Sequence, residues 1–108
     1  MSNIKKGNIK WIGLGKILAK EGSDIFGESN MAYVNILGLA KNKAEFRKKA
    51  KLRLNVMDLK LVRIEKAEPL SARISKFQVH KSILKAATKL KPGNNIDFAT
   101  FHTYVKTK

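Results

Sequence analysis

The chain has no cysteine. Disulfides and thiolate metal sites are therefore excluded, and the composition suits the reducing cytoplasm, where the chain is expected to act. It also lacks any apolar run near the roughly 20 residues that a membrane-spanning helix needs. Its first residues, Met1-Ser2-Asn3-Ile4-Lys5-Lys6, carry lysines without a continuous apolar core or a small-residue cleavage site, so no secretory signal is expected. Phosphate-binding loops are missing. Gly13-Leu14-Gly15 is too short for a dinucleotide fingerprint, Gly7 does not extend it, and no G-x-x-x-x-G-K-[ST] occurs. Acidic side chains are few: 8, against 23 lysines and arginines. The two histidines, His80 and His102, sit at no spacing that suggests a metal site, and no cofactor is expected.

The resulting net charge of +15 is the loudest global property of the chain. A surface of this kind attracts polyanions, whether nucleic acid, anionic lipid or an acidic protein. The 108 residues, 44% of them hydrophobic, make one domain with one core. We read residues 1–108 as a single domain with 1–7 frayed, and find no internal repeat, low-complexity segment or linker.

Residues 31–64 read as strand, helix, strand, a crossover unit around which the rest is placed. Met31-Ala32-Tyr33-Val34-Asn35-Ile36-Leu37-Gly38-Leu39-Ala40 is apolar and rich in strand formers. Lys41-Asn42 turns, and 43–55 is helical. Asn42 is the N-cap and Glu45 completes a capping box. Phe46, Ala50 and either Arg53 or Leu54 form the inward stripe, with Arg47, Lys48, Lys49 and Lys51 opposite. Residues 59–64 form the next strand. Pro69 stops ladder donation and can open a short helical turn, leaving Leu70, Ile74 and Phe77 to face inward. A second helix over 79–90 buries Ile83, Leu84, Ala87 and Leu90, and Pro92-Gly93 ends it. The last strand, 96–105, is apolar on both faces, which predicts a place well inside the sheet. Earlier in the chain, Ile9 and Trp11 mark a first strand with Trp11 as a core anchor. The loop 21–30 joins it to the second strand as a long hairpin. The expected class is α+β: a twisted, mainly antiparallel sheet of about four strands, ordered β-β-α-β-α-β along the chain, with two helices on one face.

Catalytic constellations are sparse. A ribonuclease-like pairing of His80 and His102 with a lysine is conceivable. However, His80 fits a surface or capping role, and His102 fits a packed sheet histidine, so the chain is read as a binder and not an enzyme. An RNA-recognition sheet would need its aromatics on one face. Phe98 and Tyr104 share a face while Phe101 takes the other, and the lysines lie mainly on helices. The basic helix has too small an apolar face for membrane-surface binding.

The runs Ala44-Glu45-Phe46-Arg47-Lys48-Lys49, Leu59-Lys60-Leu61-Val62-Arg63-Ile64-Glu65, Glu68-Pro69-Leu70-Ser71-Ala72-Arg73-Ile74 and Phe98-Ala99-Thr100-Phe101-His102-Thr103-Tyr104 together resemble immunity proteins of contact-dependent growth inhibition and related polymorphic toxin systems. The likeness covers most of residues 31–104. It implies a protein that neutralises a cognate toxin domain, often a nuclease, by direct contact. Many such proteins are acidic, and the charge of this chain departs from that habit. The resemblance therefore implies an acidic toxin surface, or binding away from the toxin's substrate groove. The candidate contacts are cationic (Lys41, Lys43, Arg47, Lys48, Lys51) and apolar (Ile25 and Phe26 in the long loop), because interfaces need buried anchors among their charges. Ile25 and Phe26 could equally tuck under the sheet. The alternative is a small basic RNA- or DNA-binding protein.

Overall fold

In a computed structural model of the chain, residues 8–19 and 31–104 are described. The frayed ends expected at 1–7 and the loop carrying Ile25 and Phe26 lie outside them. The elements run β1 (Ile9–Ala19), β2 (Met31–Ala40), α1 (Lys43–Val56), β3 (Leu59–Pro69), α2 (Leu70–Lys76), α3 (Lys81–Thr88) and β4 (Ile96–Tyr104). The four strands form one antiparallel sheet in the order β3-β1-β2-β4, so the class and the strand count are as the sequence predicts.

The crossover unit is present in split form. Both β2 and β3 pair antiparallel to β1, so they run parallel to each other with β1 inserted between them. The α1 helix bridges this gap. Its start follows the local chemistry: the Asn42 side chain accepts from Glu45 N–H at 2.8 Å, and Glu45 accepts from Lys41 N–H at 3.0 Å. The reciprocal half of the cap thus reaches one residue before the usual partner. At the other end, Asp58 takes a left-handed conformation with φ 60°, which stops the helix before β3.

Helices cover both faces of the sheet, where the sequence pattern placed two on one face. The alternation of side chains along β1 and β2 is the reason. Trp11, Ile17, Val34 and Ile36 point to one side and pack with Phe46, Ala50 and Leu54 of α1. Ile12, Leu37 and Leu39 point to the other and pack with Leu70, Ala86, Ala87 and Leu90. Each central strand is apolar in both phases and needs a layer on each side.

The same fact corrects the reading of β4. It lies at a sheet edge, not inside. Ile96 and Phe98 join the α1 core while Ala99 joins the other, so two covered faces explain its apolar pattern without a second neighbouring strand. Three residues read as inward-facing are substantially exposed: Ile74 at 49%, Phe77 at 61% and Leu84 at 40%. The segment from 70 to 88 divides into two short helices, and α3 seats Ala86 and Ala87 on the sheet with Ile83 only partly covered.

The α1 face is closely built. The Trp11 and Phe46 rings stack with centroids 6.2 Å apart, and the indole Nε1 donates to the Ala40 carbonyl at 3.0 Å. Phe46 lies across two glycines. A Cβ on Gly38 would come within 2.7 Å of the ring, and one on Gly13 within 3.3 Å of it and 2.4 Å of Ile64. Here glycine is required by close approach, with Trp11 as the core anchor the sequence suggests.

Candidate functional site

The predicted cationic residues are all at the surface. Lys41, Lys43, Arg47, Lys48 and Lys51 are exposed, with Arg47 and Lys51 one turn apart and Lys48 beside them. The burial of Phe46, Ala50 and Leu54 at four-residue spacing turns Arg47, Lys48 and Lys51 outward and settles the inward stripe on Leu54 over Arg53. None of the five side chains makes an ion pair among the described residues. Lys49, expected on this outer side, bends away. Its ammonium donates to the Leu39 carbonyl at 2.9 Å and pairs with Glu45 at 3.2 Å. The Lys41 N–H and then Lys49 hold the Glu45 carboxyl below its ordinary pKa. Arg53 is also committed, donating to the Ile96 carbonyl at 3.2 Å.

The sequence reading missed two apolar residues at the end of this helix. Leu52 is 57% and Val56 84% exposed, one turn apart. With Lys49, Arg53 and Asn95 they line a shallow depression. Their spacing opposite Phe46, Ala50 and Leu54 was the available signal.

A larger groove of about 670 Å³ lies at the β3 edge, lined by residues from Lys66 to Glu68, by Arg73, by residues from Lys76 to His80, and by Ile83. Glu68 holds it together, accepting from Lys76 Nζ at 2.6 Å and from Arg73 Nε. These bonds, that of Lys76 first, keep the Glu68 carboxyl below its ordinary pKa. His80 has the capping role its position suggested: its Nδ1 accepts from Ser82 N–H at 3.0 Å. His102 lies on β4, at the opposite sheet edge from this groove. The fold does not bring the two histidines to one site.

A third cluster lies on the sheet itself, on the side away from α1. The registers put Arg63 of β3, Lys16 of β1 and Tyr33 of β2 in one row, and the backbone of β4 continues it at His102. The outer two described members reach over the middle one. Arg63 Nη2 donates to the Tyr33 hydroxyl oxygen at 3.5 Å, although their strands are two spacings, roughly 10 Å, apart. Glu65 accepts from Arg63 Nε at 2.7 Å, which fixes the guanidinium and raises its pKa. The helices α2 and α3 bury Ile12, Leu37 and Leu39 at the other end of this face and stop short of the row. Most described cations lie on helices, as expected, but this row sets Arg63 and Lys16 on the sheet. Each of these residues was visible, but only the register, which no single strand encodes, reveals that they meet.

Comparison of the chain with protein-family models, with curated proteins and with solved structures returned no match.

Proposed function

We propose that the chain is a binding protein that recognises an acidic protein surface through the outer face of α1, and that its partner is the toxin domain implied by the resemblance to immunity proteins, met in the cytoplasm. The observation that supports this reading is a mixed helix face. Lys43, Arg47, Lys48 and Lys51 are exposed without a carboxylate partner among the described residues, and Leu52 and Val56 lie exposed beside them. Unpaired cations of one sign speed encounter with an acidic surface. Exposed apolar side chains next to them supply the contact that keeps its strength in salt. A helix that only tracked phosphates would need the cations alone.

The test is co-purification, at high salt, with the protein encoded by the adjacent upstream gene, followed by assay of any toxic activity in the complex. A one-to-one complex that silences such an activity is the expected result. In that complex, the triple reversal Arg47→Glu, Lys48→Glu and Lys51→Glu slows association. Leu52→Ser with Val56→Ser instead speeds dissociation, by about tenfold or more if the pair is an anchor. Recovery of the chain alone, or bound to nucleic acid that salt strips away, would replace this reading with nucleic-acid binding.

A further inference from the structure

We infer that the row formed by Arg63, Lys16 and Tyr33 is a binding site for a phosphate ester, held on the half of the sheet that the helices leave uncovered. The inference is independent of the α1 interface, which lies on the opposite face.

Three observations combine. The first is convergence. Arg63 and Tyr33 span the β1 strand to meet within 3.5 Å, and Lys16 occupies the register position beneath that meeting point. A guanidinium fork, an ammonium and a phenol hydroxyl on one spot are the donor types that recognise phosphate oxygens. The second is preorganisation. Glu65 engages Nε of Arg63, which orients the guanidinium while its Nη2 reaches across β1 to Tyr33. Strand residues hold such groups more firmly than loop residues do.

The third observation is residual charge. Lys60 stands opposite Leu18 on the same face, so among the described residues Lys16, Lys60 and Arg63 face one carboxylate, Glu65, and leave a local charge of +2. That charge matches a phosphate monoester or two adjacent diester groups. Leu14 and Leu18 flank Lys16 at the neighbouring same-face positions of β1 and are partly exposed. They offer apolar contact to a sugar or base beside the phosphate. An acidic protein surface would present carboxylates on mobile side chains and would make less use of a fixed row.

Two sources share this chemistry: the backbone of single-stranded nucleic acid and a free nucleotide. Fluorescence anisotropy with a short fluorescein-labelled oligouridylate, competed by uridine monophosphate, separates them. Competition at equal phosphate concentration assigns a free nucleotide, and failure to compete assigns the nucleic-acid backbone. For either source, Arg63→Gln is expected to weaken binding about tenfold, and Lys16→Gln similarly. If the backbone is bound, each also reduces the salt slope by about one. Tyr33→Phe gives a smaller loss with the slope unchanged. Arg63 is exposed, so its substitution leaves the core untouched and stands as the decisive variant if Lys16→Gln fails to fold. Binding that is unchanged in Arg63→Gln, or abolished only by charge reversal on α1, would overturn the site. So would a polyglutamate peptide that binds as tightly as the oligouridylate and shows the same dependence on Arg63. Neither result would bear on the α1 complex, whose readout is the copurified partner.

Discussion

The two faces of the sheet are finished differently. On one, a single helix of 14 residues spans β3, β1 and β2 and sets Phe46 against Trp11, Gly13 and Gly38. On the other, helices of 7 and 8 residues cover one end with small side chains, Ala86 and Ala87, and leave the row of Arg63, Lys16 and Tyr33 open. The sealed face carries its polar groups on the far side of the helix. The half-covered face keeps its polar groups on the strands, where register fixes their spacing. A small domain can thus place its stability on one side of a sheet and its adaptable chemistry on the other.

The strongest way to break that contrast is to empty the sealed face. Phe46→Ala should cost about 3–5 kcal/mol in urea unfolding, because the stacked ring leaves a cavity that two glycines cannot fill. Leu90→Ala on the other face, where the side chain is 6% exposed, should cost nearer 2 kcal/mol. Gly38→Ala should cost about 1–3 kcal/mol by forcing a methyl against the Phe46 ring and Ile96. Combined with Phe46→Ala, the same Gly38 substitution should cost less, since the ring is gone and the end of the Ile96 side chain can move into the space it leaves. Additive losses in this double-mutant cycle would show that Gly38 is required for some reason other than the ring.

A smaller effect of opposite sign belongs to the half-covered face. At the β3 edge, two steps of β1 from Ile12 to Leu14 oppose three of β3 from Glu68 to Glu65, so β3 bulges. Lys66 lies in this bulge with φ 54°, and its carbonyl accepts from Arg73 at 3.0 Å. A lysine in the left-handed region carries a penalty of about 1 kcal/mol or more that glycine avoids. Lys66→Gly should therefore raise stability by up to about 1 kcal/mol, read as a higher urea midpoint. A lower midpoint would mean that the lysine side chain contributes more than its backbone loses.

The sequence was most legible where one residue type has one physical use. The cap at Asn42 and the inward positions of Phe46 and Ala50 follow from local spacing. The second helical layer was not legible in the same way. Ile12, Leu37 and Leu39 alternate with Trp11, Ile36 and Gly38, and a strand apolar in both phases reads the same whether it is central or merely covered twice. Hence β4 was expected inside the sheet. The α1 cations could be named from sequence because helical spacing is local. The row of Arg63, Lys16 and Tyr33 joins residues up to 47 positions apart in sequence through two registers, one of them shifted by bulges, and no local pattern encodes that.

The smallest expected effect probes how the half-covered face is held. Its short α2 buries only Leu70 and is tied to β3 by Glu68, through Lys76 and Arg73. The Glu68 carboxyl titrates below its ordinary value of 4.5 because both cations favour its charged form. The folded state thus binds fewer protons than the unfolded chain between the two values. Its contribution to stability is complete above the ordinary value and disappears as the pH falls through the folded one. Glu68→Gln should therefore lower the urea midpoint at neutral pH, and the gap from the natural chain should close on acidification. Glu45 titrates in the same range on α1, but it is present in both proteins and cancels from the gap. A gap that persists in acid would mean that Glu68 holds α2 through packing of its side chain, and that both faces depend on contact more than charge.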